Sequence, residues 1–153
     1  MHRKHIAIAL MGIAAAGVAA LFYFNRPPAD YIDPSDAALV TKGKGIYATH
    51  CAACHGANLE GQPEWRKRLA NGRLPAPPHD GSGHTWHHPD AVLIDIVKNG
   101  LVPGRTAPNG YESDMPAYAK TLSDADIVAV LAYIKRSWPP EALAMQKELN
   151  QRR

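Results

Sequence analysis

The only two cysteines of this chain stand two residues apart with a histidine directly after the second, in the run Cys51-Ala52-Ala53-Cys54-His55. Cys-x-x-Cys-His reads as a c-type haem attachment site. One helical turn sets the two thiols apart by about the distance between the two porphyrin vinyl groups to which they add, and His55 follows in place to bind the iron axially as the proximal ligand. Other readings of the pair fit less well. A Cys-x-x-Cys redox couple calls for a βαβ context and has no use for the histidine. A structural zinc or iron–sulfur site needs more sulfur ligands than two.

A chain built around so large a group needs loops that wrap it, and 13 prolines and 12 glycines in 153 residues suit that role. The apolar fraction of 46% allows a packed core. The formal charge of +3 includes Arg3 and Lys4, and without them 15 basic side chains face 14 acidic ones. So even a balance argues against nucleic acid as a partner.

The N-terminus is a separate feature. A basic cap, Met1 to His5, precedes nineteen residues without a formal charge, Ile6 to Phe24. As a helix these would extend about 28 Å, close to the thickness of a bilayer core. A cleaved signal peptide is the competing reading, but its apolar region is shorter and ends in small residues. This run ends in Leu21-Phe22-Tyr23-Phe24, which suits a membrane interface. Residues 1–24 are therefore predicted to be a single-pass anchor in a bacterial inner membrane, with Arg3 and Lys4 on the cytoplasmic side and the remainder in the periplasm. Residues 25–35, with Pro27, Pro28 and Pro34, read as a stiffened linker.

Ser35 as N-cap with Asp36 in the first turn predicts a helix from about Asp36 to the Cys-x-x-Cys-His motif. Gly43 and Tyr47 lie four apart on one of its faces. Pro89 at the first position and Gly100 past the end delimit a middle helix whose apolar face is Val92, Leu93, Ile96 and Val97. Ser123 and Asp126 form a capping-box-like start to a third helix, in which Ile127, Val130, Leu131 and Ile134 recur at helical spacing until Trp138-Pro139-Pro140 stops it. Residues 139–153 read as a polar helical tail, for docking or frayed.

In these features the sequence resembles the class I c-type cytochromes, over a stretch of roughly 36–138. Gly43 and Tyr47 on the first helix and Tyr133 on the last match that family's crossing of N- and C-terminal helices, and Cys54-His55-Gly56 with Leu59 and Gly61 resembles its continuation of the haem motif. The resemblance implies an all-α fold of few helices and long loops around one covalent haem c. It implies that a proline carbonyl among Pro75, Pro77 and Pro78 accepts a hydrogen bond from His55. It also implies that Met115, in Met115-Pro116 between the middle and last helices, is the sixth ligand; Met1, Met11 and Met145 lie in the N-terminal segment and the tail.

Histidine and methionine fill both axial positions of the iron, so the implied function is single-electron transfer rather than enzymatic catalysis. The partners would be a dehydrogenase, a quinol-oxidising complex or a terminal oxidase. The segment from His79 to His88 departs most from a minimal member of the family, with His79, His84, His87 and His88 in ten residues. It is read as a structural loop beside the haem edge, with Trp86 as a donor to a haem propionate. The alternatives are a copper or zinc site in that loop, which would make this a metal-handling protein, and a sensor or peroxidase-like enzyme with a displaceable distal ligand.

Overall fold

The computed structural model describes residues 31–152. The anchor expected at 1–24 and the linker as far as residue 30 lie outside the described residues. Among those described, no helix is long and apolar enough to cross a membrane.

Among the described residues, five α-helices and one short turn of 3-10 helix carry the fold: α1 Ala37–His50, α2 Ala52–His55, the 3-10 turn Thr85–His87, α3 Asp90–Asn99, α4 Asp124–Arg136 and α5 Pro140–Gln151. No strand forms among the described residues, only an isolated bridge between Pro103 and Ala107. The all-helical class is as expected, with corrections at the helix ends. Asp36 is itself the N-cap of α1, its carboxylate accepting from the backbone N–H groups of Ala38 and Leu39. Ser35 is drawn back instead, its N–H and hydroxyl both donating to Asp33. Likewise Pro89 caps α3 rather than occupying its first turn. The capping box of α4 forms as the sequence predicts, Asp126 N–H donating to Ser123 Oγ and Ser123 N–H to Asp126 Oδ2.

α1 and α4 cross at Gly43. A Cβ placed there would lie 2.6 Å from the carbonyl carbon of Ala129 and 2.9 Å from Tyr133 Cβ, so the two backbones meet only because Gly43 has no side chain. Next to the contact the rings of Tyr47 and Tyr133 pack at 5.3 Å between centroids. Tyr47 is 1% exposed, and its hydroxyl donates to the carbonyl of Gly56 at 3.0 Å. The crossing thereby reaches the end of the Cys-x-x-Cys-His turn. Ile127, Val130, Leu131 and Ile134 of α4 are buried, as their spacing predicts.

A second anchorage was not visible in the sequence. Asp90, 1% exposed, forms an ion pair at 2.9 Å with the fully buried Lys135. Its carboxylate also accepts from the backbone N–H of Ile32 at 2.8 Å, from Gln146 Nε2 at 2.6 Å and from Asn150 Nδ2 at 3.2 Å. Lys135 Nζ further lies 4.0 Å over the ring of Tyr31. Two expectations are corrected by this cluster. Tyr31 and Ile32, expected in the stiffened linker, belong to the packed domain, and the polar tail is not frayed, because α5 turns Gln146 and Asn150 inward to satisfy Asp90.

Two substitutions test these contacts. Gly43→Val is expected to destabilise the holoprotein by more than the ~1–3 kcal/mol usual for overpacking, because the obstacle is backbone, and thermal unfolding reads the effect. Asp90→Ala leaves Lys135 charged and buried without its partner, which should cost about 3–5 kcal/mol in urea unfolding and release α5 to proteolysis.

Candidate functional site

The motif turn forms where α1 ends. Cys51 is the C-cap of α1, and the N–H groups of Cys54 and His55 both donate to its carbonyl, at 3.1 and 2.9 Å, winding the single turn of α2. The turn leaves Cys51 half-buried, Cys54 exposed and His55 buried. His55 Nδ1 donates to the carbonyl of Pro77 at 2.8 Å, which selects Pro77 from the three prolines. Because a carbonyl only accepts, this bond puts the proton on Nδ1 and leaves the Nε2 lone pair free. Burial lowers the pKa of His55 against the opposing pull of Pro77. The ring is thus held neutral, the form in which imidazole binds a metal.

The approach of Pro77 depends on Gly61. At φ +69° its missing Cβ would lie 2.6 Å from the carbonyl carbon of Pro77, while its N–H donates to the His55 carbonyl at 2.7 Å. One residue thus holds both ends of the histidine's support.

Cys51, Cys54, His55 and Met115 all line one cavity of about 410 Å³. Its apolar wall comes from Leu93, Ile96 and Val97 of α3 and from Val130, Leu131 and Ile134 of α4; Val92, expected on that face, is not part of it. Met115 is brought there by the segment that follows it. Tyr118 and Ala119 donate their N–H groups to the carbonyls of Val97 and Lys98 at the end of α3, and the Tyr118 hydroxyl donates to the His50 carbonyl at 2.6 Å. Arg73 adds a clamp from the 62–73 segment, pairing with Asp114 and Glu112 on either side of Ser113.

The histidine-rich segment divides. His79, His84 and His88 line the cavity, and Trp86 Nε1 is buried without a partner among the described residues. His87 stacks on Trp86 at 3.7 Å. No group of three His, Cys, Asp or Glu side chains able to hold a metal ion occurs among the described residues, which removes the geometric support for copper or zinc. His79 stacks on the His55 ring at 3.8 Å, and its Nδ1 is buried with no partner. That contact, the Tyr118 hydroxyl and the Arg73 clamp were not foreseen. Only Tyr118 carried a signal, as an aromatic two residues past Pro116.

The cavity suits a large flat group. It is mostly apolar, it offers two thiols at one edge, and it presents a neutral imidazole and a thioether. The cytochrome c family model matches residues 40–138. The chain belongs to the cytochrome c family. Its cofactor is covalently bound haem c, and Cys51, Cys54 and His55 fit the attachment motif. Among curated proteins it is 35% identical over 101 residues to the cbb3-type cytochrome c oxidase subunit CcoP of Azospirillum brasilense, an alignment covering 65% of this chain and 29% of that one. It is 37% identical over 126 residues to the cytochrome bc1 complex cytochrome c subunit of Mycobacterium tuberculosis (strain ATCC 25618 / H37Rv), covering 82% of this chain and 38% of that one. The chain therefore spans between a quarter and two fifths of the length of these relatives. No solved structure gives a significant match.

Gly61→Ala tests the support of His55. The added methyl must displace Pro77 and strain a positive φ, so stability should fall by about 1–3 kcal/mol. The haem absorption bands of the purified variant should shift as the His55–Pro77 bond loosens.

Proposed function

We propose that this cytochrome is a single-electron carrier in which Cys51 and Cys54 hold the haem through thioethers and His55 and Met115 are its axial ligands. The observation that carries the reading is that His55, fixed as the Nδ1–H tautomer by Pro77, and Met115 line the same cavity. The haem supplies a one-electron iron centre. The protein's part is to fill both axial positions, which denies peroxide or oxygen an open site, and to set the potential. Methionine ligation and apolar burial raise that potential, and the Pro77 bond makes His55 more basic. Cys54 is exposed at one edge of the cavity, which marks the edge by which electrons would enter and leave.

The domain is proposed to face the periplasm on an inner-membrane anchor formed by residues 1–24, supported by the uncharged run Ile6–Phe24 and its basic cap. Its partners are proposed to belong to a respiratory chain, a dehydrogenase, a quinol-oxidising complex or a terminal oxidase. The likeness to subunits named for a bc1 complex and a cbb3 oxidase supports the last two.

Met115→Ala tests the ligand set. The oxidised protein should lose its weak long-wavelength sulfur-to-iron band, its potential should drop, and the iron should bind added cyanide or carbon monoxide. A spectrum unchanged by the substitution would assign the ligand elsewhere. For the anchor, full-length protein should stay with membranes through carbonate extraction, and a mature N-terminus beyond residue 17 would mark a cleaved signal instead.

A further inference from the structure

We propose that His84 and His88 form a proton-accepting site in the wall of the haem cavity, facing the carboxylates of the cofactor, and that the protein takes up a proton there when it accepts an electron. The proposal rests on the haem ligation given above and extends it from electron transfer to proton-coupled electron transfer.

The turn Thr85–His87 makes the geometry. His87 N–H donates to the His84 carbonyl at 3.0 Å and His88 N–H to that of Thr85 at 3.2 Å. His84 and His88 thereby come together, their rings 5.6 Å apart at 73°, and both line the cavity with Thr85. The pair is braced from two sides. The ring of Trp65 stacks on His84 at 5.5 Å and 9°, and α5 donates Gln146 Nε2 to the His88 carbonyl at 3.3 Å.

The electrostatics are one-sided. The charged groups acting on His84 are His88, His87 and Arg66, and the group acting on His88 is His87; none is a carboxylate. His79 faces His84 from the same loop. Arg66 belongs to the 62–73 segment, where its guanidinium lies 4.0 Å over Trp65. From α5 comes only the neutral amide of Gln146. Asp90, two residues beyond His88, has its carboxylate taken up by Lys135, Gln146 and Asn150. Burial and these like charges push both imidazoles below their ordinary range. Two imidazoles on one wall, with Arg66 beyond them across Trp65 and no acidic side chain acting on the pair among the described residues, form a site for an anion that the cofactor brings. Haem carries two carboxylates.

The coupling follows from charge. On reduction one electron passes from the redox partner to the iron, and the iron site loses one positive charge. An imidazole nearby then holds a proton more tightly, and one proton from water adds to the lone pair of a ring nitrogen. Oxidation returns both. The imidazole pKa is therefore higher in the reduced protein. The potential falls as pH rises between the oxidised-state and reduced-state values, by up to about 59 mV per tenfold change in proton concentration for one proton per electron.

The test is the midpoint potential of the holoprotein, titrated spectroelectrochemically from about pH 5 to 9, across the range in which histidine ordinarily changes charge. Wild type should show a sloping region. His84→Gln and His88→Gln should each reduce the slope and the double variant should abolish it, while His87→Gln, outside the cavity wall, should keep it. A flat wild-type profile overturns the proposal without any variant being made, and an unchanged slope in the double variant overturns it in favour of another group. The sulfur-to-iron band, recorded in the same samples, reports the His55/Met115 ligation independently, so loss of the slope with the band intact separates the two readings.

Discussion

The close approach of α1 and α4 at Gly43 is the constraint on which the remaining structure depends. Nothing larger than a hydrogen fits between that residue and the Ala129 backbone, so the axial separation and register of the two helices are set there. The motif turn is wound at the C-terminal end of α1, and α4 supplies Val130, Leu131 and Ile134 to the cavity wall. The crossing therefore fixes the thiols and the apolar wall relative to one another. Tyr47 carries the constraint one step further by bonding the Gly56 carbonyl, immediately after His55.

Asp90 and Lys135 do a different job outside the cavity. Removing two charges from water costs several kcal/mol per ion, and that cost is offset only where geometry is good and remaining lone pairs are satisfied. Here both carboxylate oxygens receive more than one donor, from residue 32, α4 and α5. Burial lowers the pKa of Lys135, and Asp90 opposes that shift. The cluster joins the first described residues to the last helix and to the start of α3, whose other end carries the Met115 segment. A hydrophobic replacement of the pair could pack as tightly, yet it would not specify which of three elements meets which.

What the sequence disclosed and what it concealed separate along physical lines. Cys51, Cys54, His55, Gly43, the α4 capping box and the face of Ile127 to Ile134 were legible because local spacing or covalent chemistry defines each of them. Asp90 was hidden because an aspartate after a proline looks like an ordinary helix start, and its partners lie 45 to 60 residues away. The tail was misjudged for the same reason: Gln146 and Asn150 look like surface residues until the charge they satisfy is known. Ser35 and Asp36 were both competent caps, and only the turn made by Asp33 decided between them. Trp86 packs against the core with its Nε1 buried and unpartnered among the described residues, while His84 and His88 line the cavity, a placement that four histidines in ten residues did not disclose.

This division has consequences for how a potential could be set in such a small protein. The walls contributed by α3 and α4 are aliphatic and rigidly packed, so they offer little that can respond to the charge of the iron. His55 is fixed by Pro77 and stacked on by His79, which leaves its orientation little freedom either. The 79–88 segment contributes three imidazoles to the wall, His79, His84 and His88, and that segment is held by α5 through Gln146 and by the bond from Trp138 Nε1 to the His79 carbonyl. The helix that reads as an appendage in sequence thus braces the wall segment that carries His84 and His88. A change in α5 would reach the cavity through the position of His88, whose carbonyl Gln146 holds.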